Sequence, residues 1–534
     1  MLSRLGSIFP HPAAATYVPL NPILCPRAIA NRVRCGSTAS AHAKKFKSLR
    51  WKGSPPQLCN ANHGDDTLIS FPEEPIGIPA DHGFGHLEVY IGDKLGDRGE
   101  YNITRKLGFG RYSTVWLARQ THHMKFNIPY FTAIKVLSQY ATRRLNERSD
   151  EFRILQRISN SSSSHKGKEF CATLWDSFLV DGDDDGGPHQ CLVLDAMAGD
   201  VKQLRSMYRD GVMPLAMTKT IIGQMLVALQ YLHEECRIVH ADLRPENILI
   251  ANPYPGIELK KILMGEKPTY YPPMTVLGRE VQPIVSHPLL SPPRFFEFQS
   301  AEHQWMFKLG DFGGAQFIND RINDCTTPDG LRAPEVILDH PWDEKIDIWA
   351  LGCLTCEFLT GRSIFDETTW SFGQDDQDLV SLALMMRCTG QQFPPDMLSN
   401  CNLEKVAQYF GPGGALADLA NEDCIPSSII EYLKEHNREI AHDSRELEAA
   451  AAFINRCLAL RPGDRPSAAE LLRDPWLLSQ PVWSYETDPA SASKEETVGA
   501  MVTILSPWGT PYLGVILYMS LLLGTAWFVW ALMY

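Results

Sequence analysis

The sequence predicts an α+β chain, strands first and helices after, on three observations. Leu107-Gly108-Phe109-Gly110-Arg111-Tyr112-Ser113-Thr114-Val115-Trp116 reads as strand, glycine turn and strand, and Phe131-Thr132-Ala133-Ile134-Lys135-Val136-Leu137 as another apolar strand. Apolar residues then recur at helical spacing, first as Leu145, Phe152 and Leu155, later as Ile221, Met225, Leu229 and Leu232. The second of these helices runs straight into Val239-His240-Ala241-Asp242-Leu243-Arg244-Pro245-Glu246-Asn247-Ile248-Leu249, and Asp311-Phe312-Gly313 follows.

Taken in order, Gly108 and Gly110 leave backbone amides bare enough to approach phosphates. Lys135 is one cation in an apolar strand, placed to hold phosphate oxygens. In Arg144 to Leu155, Glu151 is the expected partner of Lys135, with Glu147 one turn earlier as the alternative. Asp181 to Gly187 is an acidic turn before the strand Cys191-Leu192-Val193-Leu194. Residues 252 to 304 hold nine prolines and read as an irregular insert, not a domain. From Asp311 the chain runs 25 residues to Ala333-Pro334-Glu335, a helix begins near Asp347, and Arg465 suits a buried pair with Glu335.

The loop residues suit phosphoryl transfer from a metal-bound nucleotide. Little covalent chemistry is asked of the protein there; it must hold cation, nucleotide and acceptor hydroxyl in line. Asp242 is placed to accept the hydroxyl proton, and Asn247 and Asp311 offer the oxygen ligands that hard Mg²⁺ prefers.

In this order the residues resemble the eukaryotic protein kinase domain, over roughly residues 86 to 478. The resemblance implies a bilobal fold, with a small β-rich N-lobe at 86–198 and a larger helical C-lobe at 199–478, acting as a monomer. It implies ATP and Mg²⁺ as cofactors, with catalytic roles for Asp242, Lys135, Arg244 and Glu151 and metal ligation by Asn247 and Asp311. Nucleotide contacts are then expected from Leu107, Gly108, Gly110, Ser113, Val115, Ala133, Lys135, and from Asp195 and Met197 at the hinge.

Arg244-Pro245-Glu246-Asn247 resembles the serine/threonine class. Three features narrow the resemblance to the SR-protein kinases in their fungal form: Tyr90-Ile91-Gly92-Asp93 leading to Arg105-Lys106-Leu107-Gly108, with Ser113 at the third loop glycine; 63 residues between Asn247 and Asp311; and Arg332 before Ala333-Pro334-Glu335, which resembles the larger group that also contains cyclin-dependent and mitogen-activated kinases. The implied substrates are basic, Arg/Ser-rich proteins. A pseudokinase scaffold that keeps the fold without efficient catalysis is the alternative.

Departures qualify the resemblance. Ala241 replaces the arginine that reads a phosphorylated activation loop, so activity is expected without that modification. Arg244 puts a planar fork where a lysine is usual. Pro328 lies where the family has a threonine, leaving Thr326 or Thr327 to substitute if the loop shifts.

Composition adds limits. With 534 residues, 44% of them hydrophobic, the chain can bury two lobes of core and still carry extensions. The 13 cysteines make no paired metal spacing, and no His-Glu-x-x-His zinc signature occurs. Residues 1 to 64 hold nine Lys/Arg and no acid; the rest holds 41 basic and 63 acidic residues, a balance of −22 that disfavours direct nucleic-acid binding. The basic N-terminal extension, 1–85, is expected to be mostly disordered, with a mitochondrial transit peptide as one reading. After a linker at 479–511, the uncharged segment 512–532 spans about 30 Å as a helix and is expected to anchor the chain in a membrane, the kinase domain facing the cytosol. Cytoplasm or nucleus, as for the family, and mitochondrion are the other locations left open.

Overall fold

A computed structural model describes residues 58–59 and 68–479, apart from 122–127, 145–150, 183–185, 255, 291–304, 321–324, 326, 366–376, 412–413 and 417–427. Glu147, Thr326, the transit-type N-terminus and the apolar segment 512–532 lie outside the described residues.

Six strands form one antiparallel sheet: β1 (Lys94–Leu95), β2 (Tyr101–Phe109), β3 (Ser113–Gln120), β4 (Phe131–Leu137), β5 (Leu174–Asp181) and β6 (Pro188–Asp195). The spatial order is β1-β2-β3-β4-β6-β5. Successive side chains alternate between the faces of such a sheet. Trp116, Ala118, Ile134 and Val136 therefore join Tyr101, Phe178 and Val193 in an outer apolar core, while Val115, Ala133 and Lys135 take the other face. Helix α1 (Glu151–Ser159) packs its buried Ile154, Leu155 and Ile158 toward the lobe, with Glu151 buried at its first turn. Glu151 lies where Lys135 reaches its carboxylate.

The chain crosses through a short strand, β7 (Gly199–Asp200), into a helical lobe. Its centre is α2 (Leu215–Gln230), on which Ile221, Ile222, Met225, Leu226 and Leu229 are all fully buried. With the turn that follows, Leu215–Cys236 is the one helix among the described residues long and apolar enough to cross a membrane, and it is a buried core helix. Strand β8 (Ile248–Ile250) then leads into the insert, which contains α3 (Gly256–Met264) and a hairpin, β9 (Met274–Val276) with β10 (Arg279–Val281). The expectation of an irregular insert is thus corrected: its prolines bound a helix and a hairpin instead of preventing them. Strand β11 (Phe307–Leu309) returns beside β8 in the order β11-β8-β7. Helix α4 (Lys345–Thr360) is almost wholly buried. It ends at Gly361, whose φ of 74° lets the chain turn away close against the Asp210 carbonyl, where a side chain would collide.

The N-terminal boundary also moves. Residues expected in a disordered extension up to 85 include a packed segment: Phe71, Ile76, Ile78 and Phe84 form a second apolar cluster with Val276 and Val281 of the insert hairpin. A buried ionic group fixes this seam. Lys106 Nζ lies 2.7 Å from Glu73 and 2.5 Å from Glu74, and donates to the Ile284 carbonyl at 3.0 Å. Glu73 also accepts from the Ser286 N–H and hydroxyl at 2.7 and 2.6 Å. Lys106→Met would leave two buried carboxylates uncompensated, with an expected loss of about 3–5 kcal/mol by chemical denaturation.

Glu74 gives the seam a pH dependence. Burial raises its carboxyl above the ordinary 4.5, against the pull of Lys106. The unfolded chain releases that proton as pH climbs past 4.5 while the folded chain keeps it, so stability falls with rising pH from 4.5 to the folded value. Glu74→Gln is expected to flatten this part of the curve of urea midpoint against pH; an unaltered slope would exclude Glu74 as its source.

Candidate active site

The two lobes bring together residues that are far apart in the chain. Strand alternation puts Lys135 on the inner face of β4, and its ammonium lies 2.7 Å from Glu151 Oε1 and 2.7 Å from Asp311 Oδ1. Burial disfavours the ammonium, but Asp311 and Glu151 outweigh that and hold its pKa above the ordinary lysine value. Lys135 in turn keeps Asp311 below the usual carboxylate range. Burial pushes Glu151 up, and the neighbouring Asp311 carboxylate adds to that against the pull of Lys135.

Asp311 sits at φ 52° and Ala241 at φ 59°, left-handed conformations that cost a non-glycine residue about 1–3 kcal/mol. The structure holds Ala241 from both ends. Its N–H and that of His240 donate to the two carboxylate oxygens of buried Asp347 at 2.8 Å each, and its carbonyl accepts from Thr327 Oγ1 at 2.6 Å. His233 Nε2 lies 2.9 Å from the same carboxylate. Burial alone would raise Asp347, but His233 and these backbone donors hold it low. His240 packs edge-on to Phe312 and its Nε2 lies 3.1 Å from the Gly310 carbonyl, tying the two loops together.

Between these supports lies Asp242. Its Oδ2 accepts from Asn247 Nδ2 at 3.0 Å, and its buried Oδ1 has no hydrogen-bond partner. Burial pushes its pKa up to about 7, which Arg244 only partly counters. Asn247 also donates to the Asp242 carbonyl at 2.8 Å, which commits its nitrogen and leaves its oxygen as the acceptor end. Arg244 donates to Glu246 at 3.0 Å, and Lys202 to the same carboxylate at 2.6 Å. The guanidinium is thus beside Asp242 electrostatically but anchored on Glu246.

The roof of the cleft is the β2–β3 turn, in which the Gly110 N–H donates to the Ser113 carbonyl at 2.8 Å. A side chain at Gly108 would meet nothing within 4 Å, and one at Gly110 would make only ordinary contact with Ser113. No packing constraint explains the two glycines, so they fit a partner other than protein. Leu107, Val115 and Met197 are half-exposed apolar side chains, walls suited to a flat heteroaromatic base. Ala133 and Ser113 are buried. Asp195 has a structural side chain: it accepts from Thr173 N–H, Trp175 Nε1 and Lys308 Nζ at 3.1, 2.8 and 2.9 Å, leaving the backbone to read a base edge.

The fit to nucleotide and cation rests on these features. The donor set Asn247 and Asp311 is all oxygen, matching a hard divalent ion, and the orphaned Asp242 oxygen matches an absent hydroxyl donor. Mg²⁺ would be held by Asn247 and Asp311, ATP by the glycine turn, Lys135 and the hinge; bound, the pair supplies the activated phosphoryl group and neutralises its charge.

Two contributors escaped the sequence reading. Thr327, weighed only as a substitute near Asp242, is spent on the Ala241 carbonyl. Lys308 pins the hinge, and its signal was available: like Lys135, it is a cation between apolar strand neighbours, Phe307 and Leu309.

Comparisons with known proteins agree with this geometry. A sequence model described as the protein kinase domain matches residues 101–263 and 295–477. Protein kinase dsk1 of Schizosaccharomyces pombe is 25% identical over 492 residues, covering 77% of this chain and 86% of its own. Serine/threonine-protein kinase SRPK of Physarum polycephalum is 27% identical over 406 residues, covering 74% and 90%. Mouse SRSF protein kinase 3 is 34% identical over 168 residues, 31% of this chain and 28% of its own. A kinase domain solved by crystallography superposes with a TM-score of 0.50 at 23% identity, over 73% of this chain and 98% of its own, a likeness of fold.

Proposed function

This chain belongs to the protein kinase family, and on that premise we propose that it transfers the γ-phosphoryl group of ATP to serine or threonine of basic, Arg/Ser-rich proteins, as an SR-protein kinase type enzyme. The observation that carries the reading is the convergence of Lys135, Glu151 and Asp311 at 2.7 Å beside an Asp242 carboxylate with an unsatisfied oxygen. A scaffold that had lost chemistry would have no need to maintain that constellation against two left-handed backbone positions. For the substrate class the supports are the insert between Asn247 and Asp311, the acidic balance of the body, and relatives whose names include SRPK and SRSF protein kinase.

The test is incubation of the purified full-length chain with Mg²⁺, labelled ATP, and either an Arg-Ser repeat peptide or a Ser-Pro peptide. Labelling of the first in preference to the second, abolished by Lys135→Met, is expected. Equal background in wild type and variant would favour the scaffold. Phosphatase pretreatment is expected to leave the rate unchanged, because Ala241 offers no cation to a phosphorylated activation loop; an inactive product would refute that part.

We also propose that segment 512–532 tethers the kinase to a membrane with the catalytic domain in the cytosol. Its uncharged 21 residues and its aromatics Tyr512, Tyr518, Trp527 and Trp530 support this. A fluorescent fusion lacking residues 497 to 534 should lose membrane localisation, and an unchanged distribution would end the idea.

A further inference from the structure

The sheet face that carries Lys135 does not stop at the nucleotide cleft. Register sets Val115 opposite Lys135, Leu117 opposite Ala133 and Arg119 opposite Phe131, with Arg105 opposite Leu117 on β2. Residues directly opposed share a face. The surface therefore continues outward to Arg119, Phe131 and Arg105, where α3 of the insert and the chain after it meet the sheet. Between them lies an open cavity of about 470 Å³, within the range of small-molecule sites. None of the residues expected to contact nucleotide lines it.

Its chemistry runs against that of the rest of the chain. In a protein of net charge −13, the cavity is lined by five Lys/Arg and a single carboxylate, Glu266. Glu266 is taken by Arg105, and Lys106 is neutralised by Glu73 and Glu74. Arg119, Lys260 and Lys267 remain; Arg119 donates to the neutral Tyr130 hydroxyl at 3.4 Å. His287 lines the same space, and its Nε2 is buried without a hydrogen bond, although its backbone N–H is fixed on the Lys106 carbonyl at 3.0 Å. A buried ring nitrogen in that state is a cost that a ligand could relieve. Phe131, Leu263 and Ile284 supply apolar walls.

We propose that this cavity is a second ligand site, distinct from the nucleotide cleft, for a small anion carrying an apolar body, either an alkyl carboxylate or an alkyl phosphate. The apolar body lies along Phe131 and Leu263, and the anionic head meets Arg119, Lys260 and Lys267.

Calorimetry on the full-length protein with octanoate, octyl phosphate and octanol tests it. At least one anion should bind about tenfold more tightly than octanol, and the tighter of the two identifies the head group. The double variant Lys260→Glu/Lys267→Glu, at exposed positions that should leave the melting temperature unchanged, is expected to weaken the anion about tenfold or more. Saturating Mg²⁺-ADP should not displace it. Octanol binding as tightly as the anions, an unaffected double variant, displacement by ADP, or no binding by either anion would each overturn the proposal. Since the readout is binding, its failure is separable from a failure of the kinase assay.

Discussion

Replacing Asp242 by Asn is expected to lower kcat for peptide phosphorylation by about 10²–10⁴-fold, the range for loss of a positioned general base. The fold should survive the change, because among the described residues the only side-chain bond made by Asp242 is the one accepted by Oδ2 from Asn247, and a carboxamide oxygen can accept it too. What disappears is the proton acceptor at Oδ1, which no protein donor occupies. Burial that lifts the carboxyl toward neutrality makes it a better base than a solvated aspartate. Steady-state kinetics should therefore show the loss in kcat, with KM for ATP and melting temperature nearly unchanged. A variant within a factor of about three of wild type would place the proton acceptor elsewhere.

The second large effect concerns stability. Arg465 is fully buried and paired with the equally buried Glu335 through two parallel bonds of 2.6 and 2.7 Å. It also donates to the Ala459, Lys345 and Leu460 carbonyls at 2.8, 3.1 and 3.3 Å, and its guanidinium stacks 4.9 Å from the Trp349 ring. Arg465→Met strands a carboxylate and three carbonyls in the core, and is expected to cost about 3–5 kcal/mol, a large share of the stability of an ordinary domain. In a lobe of this size that corresponds to a melting temperature lower by about 10 °C. The double variant Glu335→Leu/Arg465→Met should recover part of the loss, because it removes the stranded charge as well. If the double variant is less stable than Arg465→Met alone, a stranded carboxylate is not the cause.

Residues whose roles follow from local pattern were readable before any coordinates. Lys135 stands out as one cation in an apolar strand, the loop from His240 to Asn247 keeps its chemistry within a few positions, and Glu335 and Arg465 each lie in a short motif. The seam between the N-terminal segment and the insert was not readable, and the reason is physical. Glu73 meets Ser286 across 213 positions and Lys106 meets Ile284 across 178, distances over which periodicity carries no information. Two adjacent glutamates beside a basic tail also look like a solvated surface, since nothing local announces the buried cation that compensates them. The helix α3 was hidden similarly, its prolines drawing attention from the nine residues between them.

The insert leaves the lower lobe after Ile250, gives the His287 N–H to Lys106 in the upper lobe, and gives the Leu290 N–H to Ala198 at 3.0 Å before returning at Phe307. One covalent connection, through residues 196–198, thus crosses between the halves, and the excursion adds a hydrogen-bonded clasp on both. A jaw held by a hinge and a clasp beside it swings more easily about the line joining them than about its long axis. Opening of the cleft is therefore expected to be mainly a swing of one half against the other, with twisting restrained by the clasp.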